Sequence, residues 1–144
     1  MARHPEVVRL SRALTDGQGP SDRLARIASL FTFVSHLVDD PCAVSAYPDG
    51  VDALMRLVGP RRGPAVALAA MLRATGERVH LDEVAGYCYV QVQVEAADID
   101  KLPPHAALLE KRGRLYLPLD PRRARAPLGF VPLWVRQKVS WREC

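Results

Sequence analysis

Three cysteines and four histidines are the side chains through which this chain could do nucleophilic or proton-transfer chemistry near neutral pH. Cys42, Cys88 and Cys144 are odd in number and widely spaced, so they form neither a disulfide framework nor a zinc pattern. No cofactor motif and no metal-ligand spacing accompanies them. His4 and His36 fall on N-terminal helical patterns, His80 on a strand pattern and His105 after two prolines. Nothing in their spacing pairs an imidazole with a thiol. A different chemistry is offered by "GPRRGPAVALAAMLRATG", residues 59–76, where Arg61 and Arg62 stand at the mouth of a small-residue helix. Free N–H groups, the positive helix end and two guanidinium groups together favour an anion. That anion could be the side chain of Asp120 or an acidic group from outside.

The elements that must position these residues follow from periodicity. "HPEVVRLSRALTDG" puts Val7, Val8, Leu10 and Leu14 near one helical face, with Gly17 as a stop. In "PSDRLARIASLFTFVSHLVDDP", Ser21 or Asp22 can cap a helix whose stripe is Leu24, Ile27, Leu30, Phe31, Val34 and Leu37, ended by Pro41. Residues 40–50 read as a turn-rich loop and "VDALMRLVG" as a short amphipathic helix ending near Gly59. The helix over about 63–75 opens on Gly63 and Pro64 and is small and apolar nearly all round, which suits a central position. After Gly76 the period changes to two. "RVHLDEVA", "YCYVQVQVE", "AALLEKRG" and "RLYLPLD" read as strands, the last two joined by a tight turn around "KRGR". The order predicts an α+β domain, with N-terminal helices and a central helix packed against an antiparallel sheet. We expect it to span residues 1–125, with 126–144 as a basic segment packing on the domain or on a partner.

"GPRRGPAVALAAMLRATGERVHLDEV", then "YCYVQVQV", then "GRLYLPLDP" resembles the transglutaminase-like family, a branch of the papain-like cysteine fold. The resemblance covers most of residues 7–121. In that family a Gly-x-Cys opens a central helix that ends in Leu-Arg-Ala-x-Gly, a strand starting His-x-Trp-Val follows, and a later strand ends in Asp. Carried onto this chain, the motif glycine falls on Gly59 and the nucleophile's place on Arg61. The aromatic falls on Tyr89, the histidine's place on Tyr87 and the aspartate on Asp120. Only Asp120 keeps its residue type. Thiol acyl transfer needs a thiolate, an imidazole and a group that orients the ring. Arginine has no usable lone pair and tyrosine is a poor base at pH 7. The resemblance therefore implies a catalytically inactive member. Its binding cleft would be lined by Gly59, Arg61, Arg62, Tyr87, Tyr89 and Asp120.

Charge adds a second candidate surface. The formal charge is +4, but residues 1–110 hold eleven basic and fourteen acidic side chains, while residues 111–144 hold nine and two. The basic C-terminal stretch has no aromatic RNA-type motif and no helix-turn-helix or finger pattern. Trp134 and Trp141 within it are candidate interface anchors in a chain otherwise poor in aromatics. No run of eighteen apolar residues is present, so no membrane span is expected. The start "MARHPEVVRL" lacks a signal-peptide pattern, which with the unpaired cysteines points to the cytoplasm. The expected function is a protein-interaction or assembly module that works with a protein partner. The alternatives are a divergent cysteine peptidase, amidase or transglutaminase using Cys88 or Cys42, and a nucleic-acid-associated protein acting through its basic C-terminal segment.

Overall fold

A computed structural model describes residues 5–18, 22–39, 63–84, 87–103, 106–121, 129 and 142–143. The expected loop at 40–50 and the short helix at 51–59 lie outside the described residues. Three helices precede the sheet: α1 (Pro5–Leu14), α2 (Arg23–Asp39) and α3 (Gly63–Ala74). Pro5 starts α1, where a missing N–H costs nothing, and Val7, Leu10 and Ser11 form its buried stripe. In α2 the residues at i, i+3, i+4 and i+7, Ile27, Leu30, Phe31 and Val34, are buried as the periodicity predicts.

Seven side chains or glycine positions of α3 are buried, from Gly63 and Ala65 to Met71 and Leu72. A helix buried on so many sides must carry small residues, because α1, α2 and the sheet all approach it. Its end explains the "LRATG" sequence. The Gly76 N–H donates to the Arg73 carbonyl and the Glu77 N–H to the Leu72 carbonyl, both at 3.1 Å. Gly76 takes φ +90°, as the left-handed residue of this helix-ending motif must.

The sheet is antiparallel throughout. Its strands are β1 (Val79–Val84), β2 (Tyr87–Val94), β3 (Ala107–Lys111), β4 (Arg114–Leu119) and the two-residue β5 (Arg142–Glu143), in the order β1-β2-β4-β3-β5. A short 3-10 helix, Ala96–Lys101, links β2 to β3. Lys111 pairs with Arg114, so the β3–β4 turn is the two residues Arg112 and Gly113, both at positive φ (53° and 75°). That is the hairpin turn that matches strand twist, and it normally selects Asn-Gly. Arginine at its first position is therefore a local strain.

Side-chain alternation gives the sheet two faces. Val79, Cys88, Val90, Val92, Val94, Leu108, Leu117 and Leu119 join Val7, Ile27, Leu30, Leu68 and Met71 in one apolar cluster on the helix side. Arg23 ties α2 to the far end of β2. Its guanidinium donates to Glu77 Oε2 at 2.7 Å and to the Gln93 carbonyl, and lies 3.5 Å from Asp98. Burial alone would lower the Arg23 pKa, but the Glu77 hydrogen bond and the charges of Glu77, Asp98 and Glu95 more than offset it and hold it raised.

Besides Arg142 and Glu143 of β5, Gly129 from beyond position 125 is built into the sheet. The Gly129 N–H donates to the Pro118 carbonyl at 3.1 Å, and the Gly129 carbonyl accepts from the Ala107 N–H at 3.0 Å. Pro118 has no N–H to offer, so the next ladder step of β3 and β4 is bridged by Gly129 instead. Only glycine fits there: φ is +82° and an added Cβ would stand 2.7 Å from the Ala106 Cβ.

Candidate functional site

The face of the sheet away from the helices carries polar chemistry under burial. His80 and Asp82 of β1 stand opposite Gln91 and Tyr89 of β2. Gln91 and Gln93 in turn stand opposite Pro118 and Tyr116 of β4. Tyr89 and Gln91 are both 0% exposed, as buried as Val90 and Val92 on the opposite side of the same strand. The Tyr89 hydroxyl donates to Asp82 Oδ2 at 2.9 Å, and the Gln91 amide donates to Asp82 Oδ2 at 3.1 Å and to the Tyr89 oxygen at 3.2 Å. Asp82 Oδ1 accepts from the Glu83 N–H at 2.9 Å. Two side-chain donors and one backbone donor thus stabilise the single carboxylate of this network.

The network fixes the properties of Tyr89. Burial pushes its pKa far above the ordinary phenol value; the Gln91 hydrogen bond lowers it, and the Asp82 hydrogen bond and charge raise it further. At neutral pH this hydroxyl is a donor and not a base. The network also fixes Gln91. Its amide nitrogen must face the Asp82 carboxylate, which leaves Oε1 buried with no hydrogen-bond partner. Such an orphan acceptor costs about 1–3 kcal/mol.

Over this floor lies a cleft of about 600 Å³. Asp82 and Gln91 line it, as do His80 and Tyr116, whose rings meet edge to face with centroids 5.4 Å apart. The hairpin tip supplies its charge. Lys111, Arg112 and Arg114 all line the cleft, all are exposed, and none makes an ion pair among the described residues. Leu81, 37% exposed on edge strand β1, completes the lining.

The residues expected from the sequence are placed as follows. Tyr89 is on the face away from α3, held by Asp82 and Gln91. Cys88, its neighbour, is 4% exposed and faces the helix-side core, in no disulfide. Tyr87 opens β2 opposite Val84, and its side chain lies outside the described set. Asp120 directly follows β4 and is 2% exposed. Gly59, Arg61, Arg62, Trp134 and Trp141 lie outside the described residues, and with them the meeting of Arg61, Tyr87 and Asp120. The structure instead brings together Asp82, Tyr89, Gln91, His80 and Tyr116, with the basic hairpin tip beside them. The only trace of this in the sequence is "QVQV", where glutamine alternates with valine, and the charges of "KRGR".

Among the described residues, no helix is long and apolar enough to cross a membrane. No group of three His, Cys, Asp or Glu among them is placed to hold a metal ion. No protein-family model, no curated protein and no solved structure matches the chain.

Proposed function

We propose that this chain is a transglutaminase-like domain without catalytic activity, used as a protein-interaction or assembly module in the cytoplasm. The support for the family is the residue pattern itself. A small-residue helix ends in Leu-Arg-Ala-x-Gly and packs on an antiparallel sheet whose second strand opens "YCYVQV" and whose fourth is followed directly by Asp120. The observation that carries the non-catalytic reading is the fate of two neighbours on β2. Cys88 lies in the apolar core, where a thiolate would be destabilised. Tyr89 is a fully buried donor with a raised pKa. Both side chains serve the fold.

The test is turnover. The full chain is assayed for hydrolysis of fluorogenic amides and for glutamine transamidation, beside a control with Cys42, Cys88 and Cys144 all changed to Ser. The expected result is the same background rate for both. Turnover that disappears in the control would overturn the reading in favour of a divergent cysteine enzyme.

A second reading draws on the basic excess of residues 111–144, which suits a nucleic-acid surface. Its signature is binding to an oligonucleotide that falls steeply with salt.

A further inference from the structure

We infer that the cleft on the face of the sheet away from α1, α2 and α3 is the docking site of an extended acidic segment of a partner protein. This rests on the interaction-module reading and gives it a surface. Two independent observations point the same way. The first is charge: Lys111, Arg112 and Arg114 project at one hairpin tip, exposed and without ion-pair partners among the described residues. The acidic group nearest them in the cleft, Asp82, is already held by the Tyr89 hydroxyl, the Gln91 amide and the Glu83 N–H. Asp82 is thus occupied, and the three cations stay exposed with no ion pair among the described residues. The second is the Gln91 Oε1, buried at the cleft floor with no donor. A folded domain leaves an acceptor orphaned there at a standing cost, and a donor arriving with a ligand removes it.

The two features define the occupant. Gln91 is opposite Pro118, and Arg114 lies four residues back along β4. At 3.3 Å per residue that is about 13 Å, the reach of some four residues of extended chain. A peptide brings both requirements: an N–H or hydroxyl donor for Oε1 at one end, and carboxylates for the hairpin cations at the other. The His80 and Tyr116 rings between them offer a flat apolar step for the intervening side chains. A nucleic-acid backbone fits less well, because Asp82 and the bare Gln91 oxygen would face phosphate oxygens. The strained turn fits the same account. Arg112 holds φ +53°, where asparagine or glycine would be relaxed, so a cation is kept at a position that disfavours it.

The experiment uses the full chain and a fluorescein-labelled dodecapeptide of alternating Glu and Ser, followed by anisotropy. Its Gln/Ser counterpart and a labelled twelve-residue thymidine oligonucleotide are run beside it. The Glu/Ser peptide should bind and the Gln/Ser peptide should not. Arg112→Glu with Arg114→Glu should weaken binding by about ten-fold or more while leaving the thermal midpoint near the parent's. Arg112→Gly is the sharper variant: it should bind more weakly and unfold at a higher temperature. Failure of the Glu/Ser peptide to bind, or equal binding by the charge-reversed variant, overturns the inference. So does tighter binding of the oligonucleotide through the same arginines. None of these results touches the non-catalytic reading, which falls only to cysteine-dependent turnover.

Discussion

At the centre of β2 the two faces of the sheet are equally dry and chemically opposite. On the helix side β2 presents Cys88, Val90, Val92 and Val94, packed on α3 in the cluster to which α1 and α2 also contribute. On the other side the same strand presents Tyr89 and Gln91, both 0% exposed, which are linked to Asp82 by hydrogen bonds. Burying valines gains about 25 cal/mol for each Å² of apolar surface removed from water. Burying a glutamine gains little and requires every polar atom to find a partner. On the second face two atoms fail to find one, Gln91 Oε1 and Gln93 Oε1, and beside Gln91 stand three cations with no ion pair among the described residues. Burial alone therefore does not mark the core. We assign stability to the first face and propose recognition for the second.

This division is tested most severely on the helix side. Leu117 is 0% exposed in the core cluster, and Leu117→Ala should cost about 2–5 kcal/mol in chemical denaturation through lost burial and a cavity. A loss under about 1 kcal/mol would show that this face is not where the stability resides. The next effect is overpacking at the centre of α3. Ala69 is 1% exposed, so Ala69→Leu should cost about 1–3 kcal/mol, read in the same denaturation series. A variant as stable as the parent would remove α3 from its central place.

Two smaller effects probe the polar face. The folded pKa of Tyr89 is raised above the unfolded value near 10, with burial as the largest cause. Below pH 10 both states hold the proton and the contribution of Tyr89 to stability is fully present. Above it the unfolded chain loses the proton first, so that stability is lost at about 1.4 kcal/mol per pH unit as pH rises toward the folded value. Tyr89→Phe should remove that part of the slope in denaturation at pH 9 to 11. An unchanged slope would mean the hydroxyl is not sequestered. The smallest effect is Gln91→Leu. It removes two donated hydrogen bonds and one orphan acceptor together, so the net change should stay within about 1 kcal/mol. A loss comparable to that of Leu117→Ala would make the two faces alike.

How much of this could be read from the sequence depends on how local each signal is. The stripe of α2, the Gly76 helix end and the Arg112–Gly113 turn are set by neighbours a few residues apart, and all were legible. The α+β order followed from the change of period after Gly76. The second face was not legible. Alternation of glutamine with valine in "QVQV" reads as a solvent-facing strand edge, and only tertiary structure makes Gln91 fully buried. Gly129 was likewise invisible: it bridges β3 and β4 from outside any periodic segment, by two backbone hydrogen bonds that leave no side-chain pattern. The candidate site suffered most, because its residues come from β1, β2 and the β3–β4 hairpin and meet only across the sheet. Of the positions implied by the transglutaminase-like resemblance, Tyr89 at the aromatic's place and Asp120 at the aspartate's are buried.

The central claim is that β2 turns its thiol into the core and its polar network to the other face, so that Cys88 is held away from any site. Site-resolved alkylation tests it directly: the native chain is treated with iodoacetamide at pH 7.5, and labelling of Cys88 is followed by peptide mapping against a denatured control. The account predicts that Cys88, 4% exposed in the apolar cluster, labels only at the rate of unfolding. Labelling of Cys88 in the native chain faster than in the denatured control would mean an exposed, activated thiolate, and would contradict it.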